Sequence, residues 1–232
     1  MLDIVAWTSI GIAIGCAVWI ALDEMRRPQE MGVMNLVWPL TALYLSVFAL
    51  WAYLQLGRAM PRAEQSARHH GPMGQRPQRE GDKHITAAQV AVATSHCGAG
   101  CVLADLLAEF CIGAAGITLF GLMLWASYVI DFAAAWTLGI AFQYFSIKPM
   151  SDLTPGAVLV AAIKADTLSI LAFQAGMYAW MAVVFFVLFP GPHLTPFQPA
   201  FWLMMQIAMI FGYATAFPMN RWLVLRGWKE AM

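Results

Sequence analysis

The stretch PGAVLVAAIKADTLSILAFQAGMYAWMAVVFFVLF, residues 155–189, runs between Pro155 and Pro190 with only two charged side chains, Lys164 and Asp166. A bilayer crossing needs about 20 mostly apolar residues. This stretch exceeds that length, and Pro190-Gly191-Pro192 punctuates its end. Working outward, five more stretches of spanning length appear: Ile4 to Leu22, Leu36 to Leu56, Ala87 to Ala115, Thr118 to Phe145 and Phe201 to Trp222. Only Gly113-Ala114-Ala115-Gly116 separates the third from the fourth, which predicts a tight helical hairpin. The fold expected is all-α: a polytopic transmembrane helix bundle of about six spans, arranged two plus four.

Composition agrees. Hydrophobic residues make up 61% of the chain and charged residues 11%, where a soluble domain carries roughly a quarter charged residues. Net charge is zero, so no basic excess points to nucleic acid. The first apolar run follows Asp3 with no basic segment before it and no small-residue cleavage site after it, so it reads as a retained helix rather than a signal peptide.

Three regions follow. Residues 1–57 read as a two-helix hairpin, 58–84 as a polar linker rich in Pro, Gly, Gln, Arg and His, and 85–232 as a four-helix domain. No internal repeat is visible, which gives no support to an inverted-repeat transporter. With six straight spans, Arg58, Arg62, Arg68, Arg76, Arg79, Lys83, Lys148, Arg221, Arg226 and Lys229 fall on one side, against Arg26 and Arg27 on the other. Basic residues favour the cytoplasmic side, so this partition predicts a cytoplasmic (inner) membrane protein with both termini in the cytoplasm.

Ionisable side chains inside spans are costly and mark function. The third stretch holds His96, Cys97, Cys101, Asp105 and Glu109, the fourth Asp131, and the fifth Lys164 and Asp166. Cys97, Cys101, Asp105 and Glu109 recur every four residues and so form one stripe on a helix. Cys97 and Cys101 with His96 make a candidate metal site. Soft thiolates suit Cu(I), which two sulfurs satisfy, ahead of Zn, which wants four ligands. Met177, Met181, Met205 and Met209, paired at spacings of four, are secondary thioether candidates. Against this stands a plainer account, in which cysteine and methionine simply pack as hydrophobes. Asp105, Glu109, Asp131, Asp166 and Lys164 are candidates for a proton or ion pathway. Pro218 kinks the last span, and Asn220 is expected to serve carbonyls that the proline frees.

Ser95-His96-Cys97-Gly98-Ala99-Gly100-Cys101, Ala165-Asp166-Thr167-Leu168-Ser169 and Ala216-Phe217-Pro218-Met219-Asn220-Arg221-Trp222-Leu223 together resemble the DUF4396 family of prokaryotic membrane proteins, over about residues 84–229. The family pattern has an acidic residue four after the second cysteine. Asp105 stands there, where glutamate is more usual. The resemblance supports the four-helix unit and brings no mechanism with it.

No phosphate loop, nucleophile elbow or zinc-protease motif is present. The leading expectation is a membrane protein that binds and transports, or hands over, a soft metal with copper favoured. The alternatives are a proton- or cation-coupled carrier of a small solute, a membrane dithiol redox enzyme, and a structural subunit or assembly factor. Partners expected are the lipid bilayer, a metal ion, and a homo-oligomer or larger membrane complex, with no nucleic acid.

Overall fold

In the computed structural model, residues 1–29, 32–59, 85–148, 151 and 153–229 are described. Residues 60–84, most of the segment read as a polar linker, lie outside them. Helices are the only regular elements among the described residues: α1 (Leu2–Arg26), α2 (Met34–Leu45), α3 (Val47–Ala52, continued by a π turn Tyr53–Gly57), α4 (Ala87–Ala115), α5 (Met123–Ile147), α6 (Pro155–Val183, continued by a π turn Val184–Leu188) and α7 (Pro199–Leu225). Five helices, α1 and α4 to α7, are long and apolar enough to cross a membrane. The polytopic helix bundle expected from sequence is what forms.

Local chemistry explains the helix ends. Thr86 and Gln89 form a reciprocal capping box at the start of α4, satisfying backbone donors the first turn leaves free. Gly116, at φ 64°, closes its end. The hairpin into α5 is tight, as its glycines suggested, but Leu119 and Leu122 bond each other across the turn, so α5 begins at Met123 rather than Thr118. Pro155 and Pro199 open α6 and α7 at the position where a missing N–H costs nothing. Val160, Phe186, Val187, Phe48 and Trp51 are all more than half exposed, an outward apolar face that suits a bilayer.

The second apolar stretch departs from expectation. A straight helix over residues 34–57 would hold its ends about 36 Å apart. Instead the chain breaks at Ser46 (φ 47°, ψ −119°) and returns. Gln29 Nε2 donates to the Gly57 carbonyl at 2.5 Å, and Arg58 and the Tyr53 hydroxyl both reach Asp23, near the end of α1. Gly57 is pressed against Trp38, where any Cβ would collide with the indole. This element enters and leaves at one end of the bundle. Hydropathy measures its length but is blind to the turn.

Relative directions follow from two bonds and lengths. Ser9 Oγ donates to Gln206 Oε1 at 2.7 Å. Seven residues of α1 precede Ser9 and seventeen follow; seven of α7 precede Gln206 and nineteen follow. Both helices fit one layer about 30 Å thick only when their long arms point the same way. Gly113, near the end of α4, packs on Pro196, just before α7, so α4 runs against α7. The end of α1, both ends of the α2/α3 hairpin, the start of α4, the end of α5 and the end of α7 therefore share one end of the bundle. Arg26, Arg27, Arg58, Lys148, Arg221, Arg226 and Lys229 are all at this basic end, while the α4/α5 turn (116–122) and the α6/α7 connection (189–198) contain no Lys or Arg. The expectation that Arg26 and Arg27 oppose the other basic residues is corrected by the turn at Ser46, which brings them to the same end of the bundle.

Candidate functional site

The stripe on α4 lies in the interior. Close approach of α4 and α5 rests on Gly100 and Gly139, since a Cβ on Gly100 would sit 3.2 Å from the Gly139 Cα. Cys97 and Cys101, one helical turn apart, are fully buried and not joined by a disulfide. Tyr44, one residue short of the end of α2, approaches them from the hairpin tip. Its hydroxyl would lie 2.5 Å from a Cβ on Gly98.

His96 does not join the two sulfurs. Being adjacent to Cys97 in sequence, it leaves the helix about 100° further round. Its ring meets Phe142 edge-on at 6.0 Å, and Nε2 lies 3.4 Å from Ser146 Oγ on α5. Asp166 and Lys229 are its charged neighbours. Among the described residues, no group of three or more His, Cys, Asp or Glu side chains is arranged to hold a metal ion.

Toward the other end, Asp105, Glu109 and Asp131 gather with none more than 2% exposed. Glu109 is within hydrogen-bonding reach of Ser127 and Asp131 on α5. Neither oxygen of Asp105 has a partner. Tyr128 and Tyr178 stack at 4.1 Å beside them and exchange hydroxyl-to-carbonyl bonds of 2.5 and 2.7 Å. A cavity of about 30 Å³, room for a water molecule, is bordered by Glu109, Asp131, Met177, Met181 and Met205. Met205 and Met209 border a larger, apolar cavity of about 280 Å³ beside α1. The four methionines do face inward, on cavities and away from the cysteines.

Asp166 meets a partner that sequence reasoning placed outside the membrane. Lys229 Nζ donates to Asp166 Oδ1 at 2.8 Å, and both side chains are fully buried. Asp166 Oδ2 has no partner, and a Cβ on Gly139 would lie 3.0 Å from it. One signal could have revealed Lys229: an interior carboxylate needs a cation, and Lys229 lies two residues after Gly227, where the chain turns back beyond the end of α7. Lys164, grouped with the interior charges, lies instead on an exposed face with its ammonium 4.5 Å from the Trp228 ring centre. Ser169 donates to Asn220 Oδ1 at 3.0 Å. Asn220 Nδ2 donates to the carbonyl of Ala216, not to that of Ala214, which Pro218 frees, so its expected role is corrected.

These features define a polytopic α-helical membrane protein with buried ionisable groups strung along one helix. Residues 86–229 match the family described as Domain of unknown function (DUF4396), and the chain belongs to that family. The N-terminal helix and its hairpin lie outside the match. No curated protein and no solved structure matches the chain.

Proposed function

We propose that this chain is a proton-coupled carrier of a small solute in a prokaryotic cytoplasmic membrane, with Asp105, Glu109 and Asp131 holding and passing the protons. The observation that carries the reading is the gathering of three buried carboxyls, none of which takes part in an ion pair among the described residues. Three such groups cannot all be ionised together in a low-dielectric interior. Protons are the counter-charge that needs no cage of ligands. From Glu109 to Cys97 the α4 stripe rises about 18 Å, more than half the width of a hydrocarbon core, and interior carboxyl groups in such a row are usual parts of a proton relay. The excess of Lys and Arg at one end supports placing that end in the cytoplasm.

Infrared difference spectra of the purified protein test the reading. Carboxylic-acid C=O bands are expected in the wild type, each losing one component in Asp105→Asn, Glu109→Gln and Asp131→Asn. A wild-type spectrum identical to that of the triple variant would refute it.

A second reading is favoured by two free, fully buried cysteines one turn apart on α4, Cys97 and Cys101: a two-coordinate Cu(I) ion carried as substrate, without His96. Titration with Cu(I) under reducing conditions decides. Equal stoichiometry in the wild type and in a Cys97→Ser, Cys101→Ser variant removes it.

A further inference from the structure

Lys229 lies four residues beyond the last residue of α7, yet its ammonium is fully enclosed. Gly227, at φ 68°, turns the chain back over the basic end of the bundle. Only Gly adopts that conformation without strain. What holds the returning strap down is slight. The amides of Trp228 and Lys229 share the carbonyl of Leu223 at 2.9 and 3.4 Å, and Trp228, 40% exposed, leans on Trp222 and Lys164. The Gly227 amide adds a bond to the Val224 carbonyl at 3.0 Å, and beyond these, among the described residues, the strap has the Asp166 ion pair.

Burying that pair is not explained by stability. Removing two ions from water costs several kcal/mol each, and their attraction repays this only when remaining hydrogen bonds are satisfied. Here Asp166 Oδ2 has none. The surroundings suit a single positive charge. Asp166 is the acid, and the ionisable groups facing it are His96 and Cys101 from α4 and Lys229 from the strap. From α5 comes only the side-chain-free Gly139, and Asn220 of α7, one turn along α6 at Ser169, is neutral. Lys164, two residues before Asp166, points outward.

We propose that Asp166 forms a monovalent-cation site whose occupant in this conformation is the tethered ammonium of Lys229, and that the strap Gly227–Lys229 is the gate that opens the site to the basic face. This rests on the reading of the interior acids as proton carriers, and gives that pathway its mouth. When the strap lifts, the carboxylate left behind draws a proton or an alkali ion from solution. When it returns, Lys229 displaces that cation. The tether makes competition local: the lysine sits at high effective concentration, so a loose strap suffices to close the site.

The test uses Cys97, next to His96, as reporter in full-length protein carrying Cys16→Ser, Cys101→Ser and Cys111→Ser. Inverted vesicles are treated with a membrane-impermeant maleimide. Lys229→Met is expected to speed Cys97 labelling about tenfold, because an opening no longer competes with the ion pair. Lys229→Arg should keep it slow. In Lys229→Met, labelling should then be slowed saturably by sodium or potassium against choline, or by acid in choline alone, the two arms separating an alkali ion from a proton. In Lys229→Met/Asp166→Asn sodium and potassium should give no protection, and acid only the slowing it imposes on any thiol, because the thiolate is what reacts. Unchanged labelling in Lys229→Met overturns the gate. Faster labelling indifferent to cations overturns the site and leaves the strap a structural tie. If Lys229→Met does not fold, Trp228→Ala loosens the strap with the charges intact and is held to the same outcomes. Repeating the series in Glu109→Gln separates the two readings, since Cys97 labelling does not depend on proton transfer at Glu109.

Discussion

Asp23 and Arg58, 35 residues apart, are joined by two hydrogen bonds of 2.9 Å each, Arg58 Nε to Oδ2 and Nη2 to Oδ1. This paired geometry fixes more than a surface contact. It ties the exit of the α2/α3 hairpin to the end of α1, so the hairpin enters the membrane layer and leaves it on the same side. Five crossings would then put Met1 and the end of α7 in opposite compartments. The expected result is that a cysteine replacing Asp3, in a background without native cysteines, reacts with an impermeant maleimide on intact cells, whereas one replacing Arg226 reacts only in inverted vesicles. Both reacting from the same side would show that residues 34–57 cross.

Ser46 carries the turn at φ 47°, where side chains are strained and glycine is not. Ser46→Gly should therefore raise stability in detergent by up to about 1 kcal/mol, and Ser46→Val should lower it by about 1–3 kcal/mol because a β-branched side chain resists this conformation. Thermal unfolding followed by tryptophan fluorescence checks the order of the three proteins. A valine variant as stable as the wild type would place the break elsewhere.

Asp105 buries a carboxyl with no partner at either oxygen. Replacing it by an apolar residue of similar size breaks no bond and removes a desolvated polar group, so Asp105→Leu is expected to stabilise the protein by about 1–3 kcal/mol. If Asp105 passes protons, the same variant loses coupled transport. A stability gain with transport retained would assign Asp105 no part in function.

The Asp166–Lys229 pair should be strongly non-additive. Asp166→Asn or Lys229→Met alone leaves a buried charge uncompensated and is expected to cost about 3–5 kcal/mol, while the double variant costs far less. A double-mutant cycle in thermal unfolding measures this. Additive losses would mean that the two groups are paired only weakly.

How much of this was legible in sequence differs from element to element. Length and apolarity found the six membrane elements, and the glycines at 113 and 116 found the hairpin between α4 and α5. The four-residue spacing correctly placed Cys97, Cys101, Asp105 and Glu109 in the interior, because period alone determines a helix face. Adjacency in sequence misled at His96, which it grouped with the two cysteines but which its position beside Cys97 turns toward α5. Two features left no pattern to read. The break at Ser46 uses a serine where glycine would have signalled a turn, and the seven-residue-earlier Pro39 sits inside a continuous helix. Lys229 reads as one more cytoplasmic charge, since burial of a residue beyond a helix end depends on an acid 63 positions away.

The tip of the hairpin also has a history. Leu43 offers its carbonyl to Gln206, 163 residues further on, and Ser9 donates to the same side chain. A ribosome making this chain delivers the N-terminal third long before its keystone exists. Until α7 arrives, the hairpin tip has its contact with α4 but lacks the bond that ties it to α1 through Gln206. The last helix to be synthesised is thus the one that locks the first pieces in place, and late truncations should release the N-terminal third as well as the C-terminal end they remove.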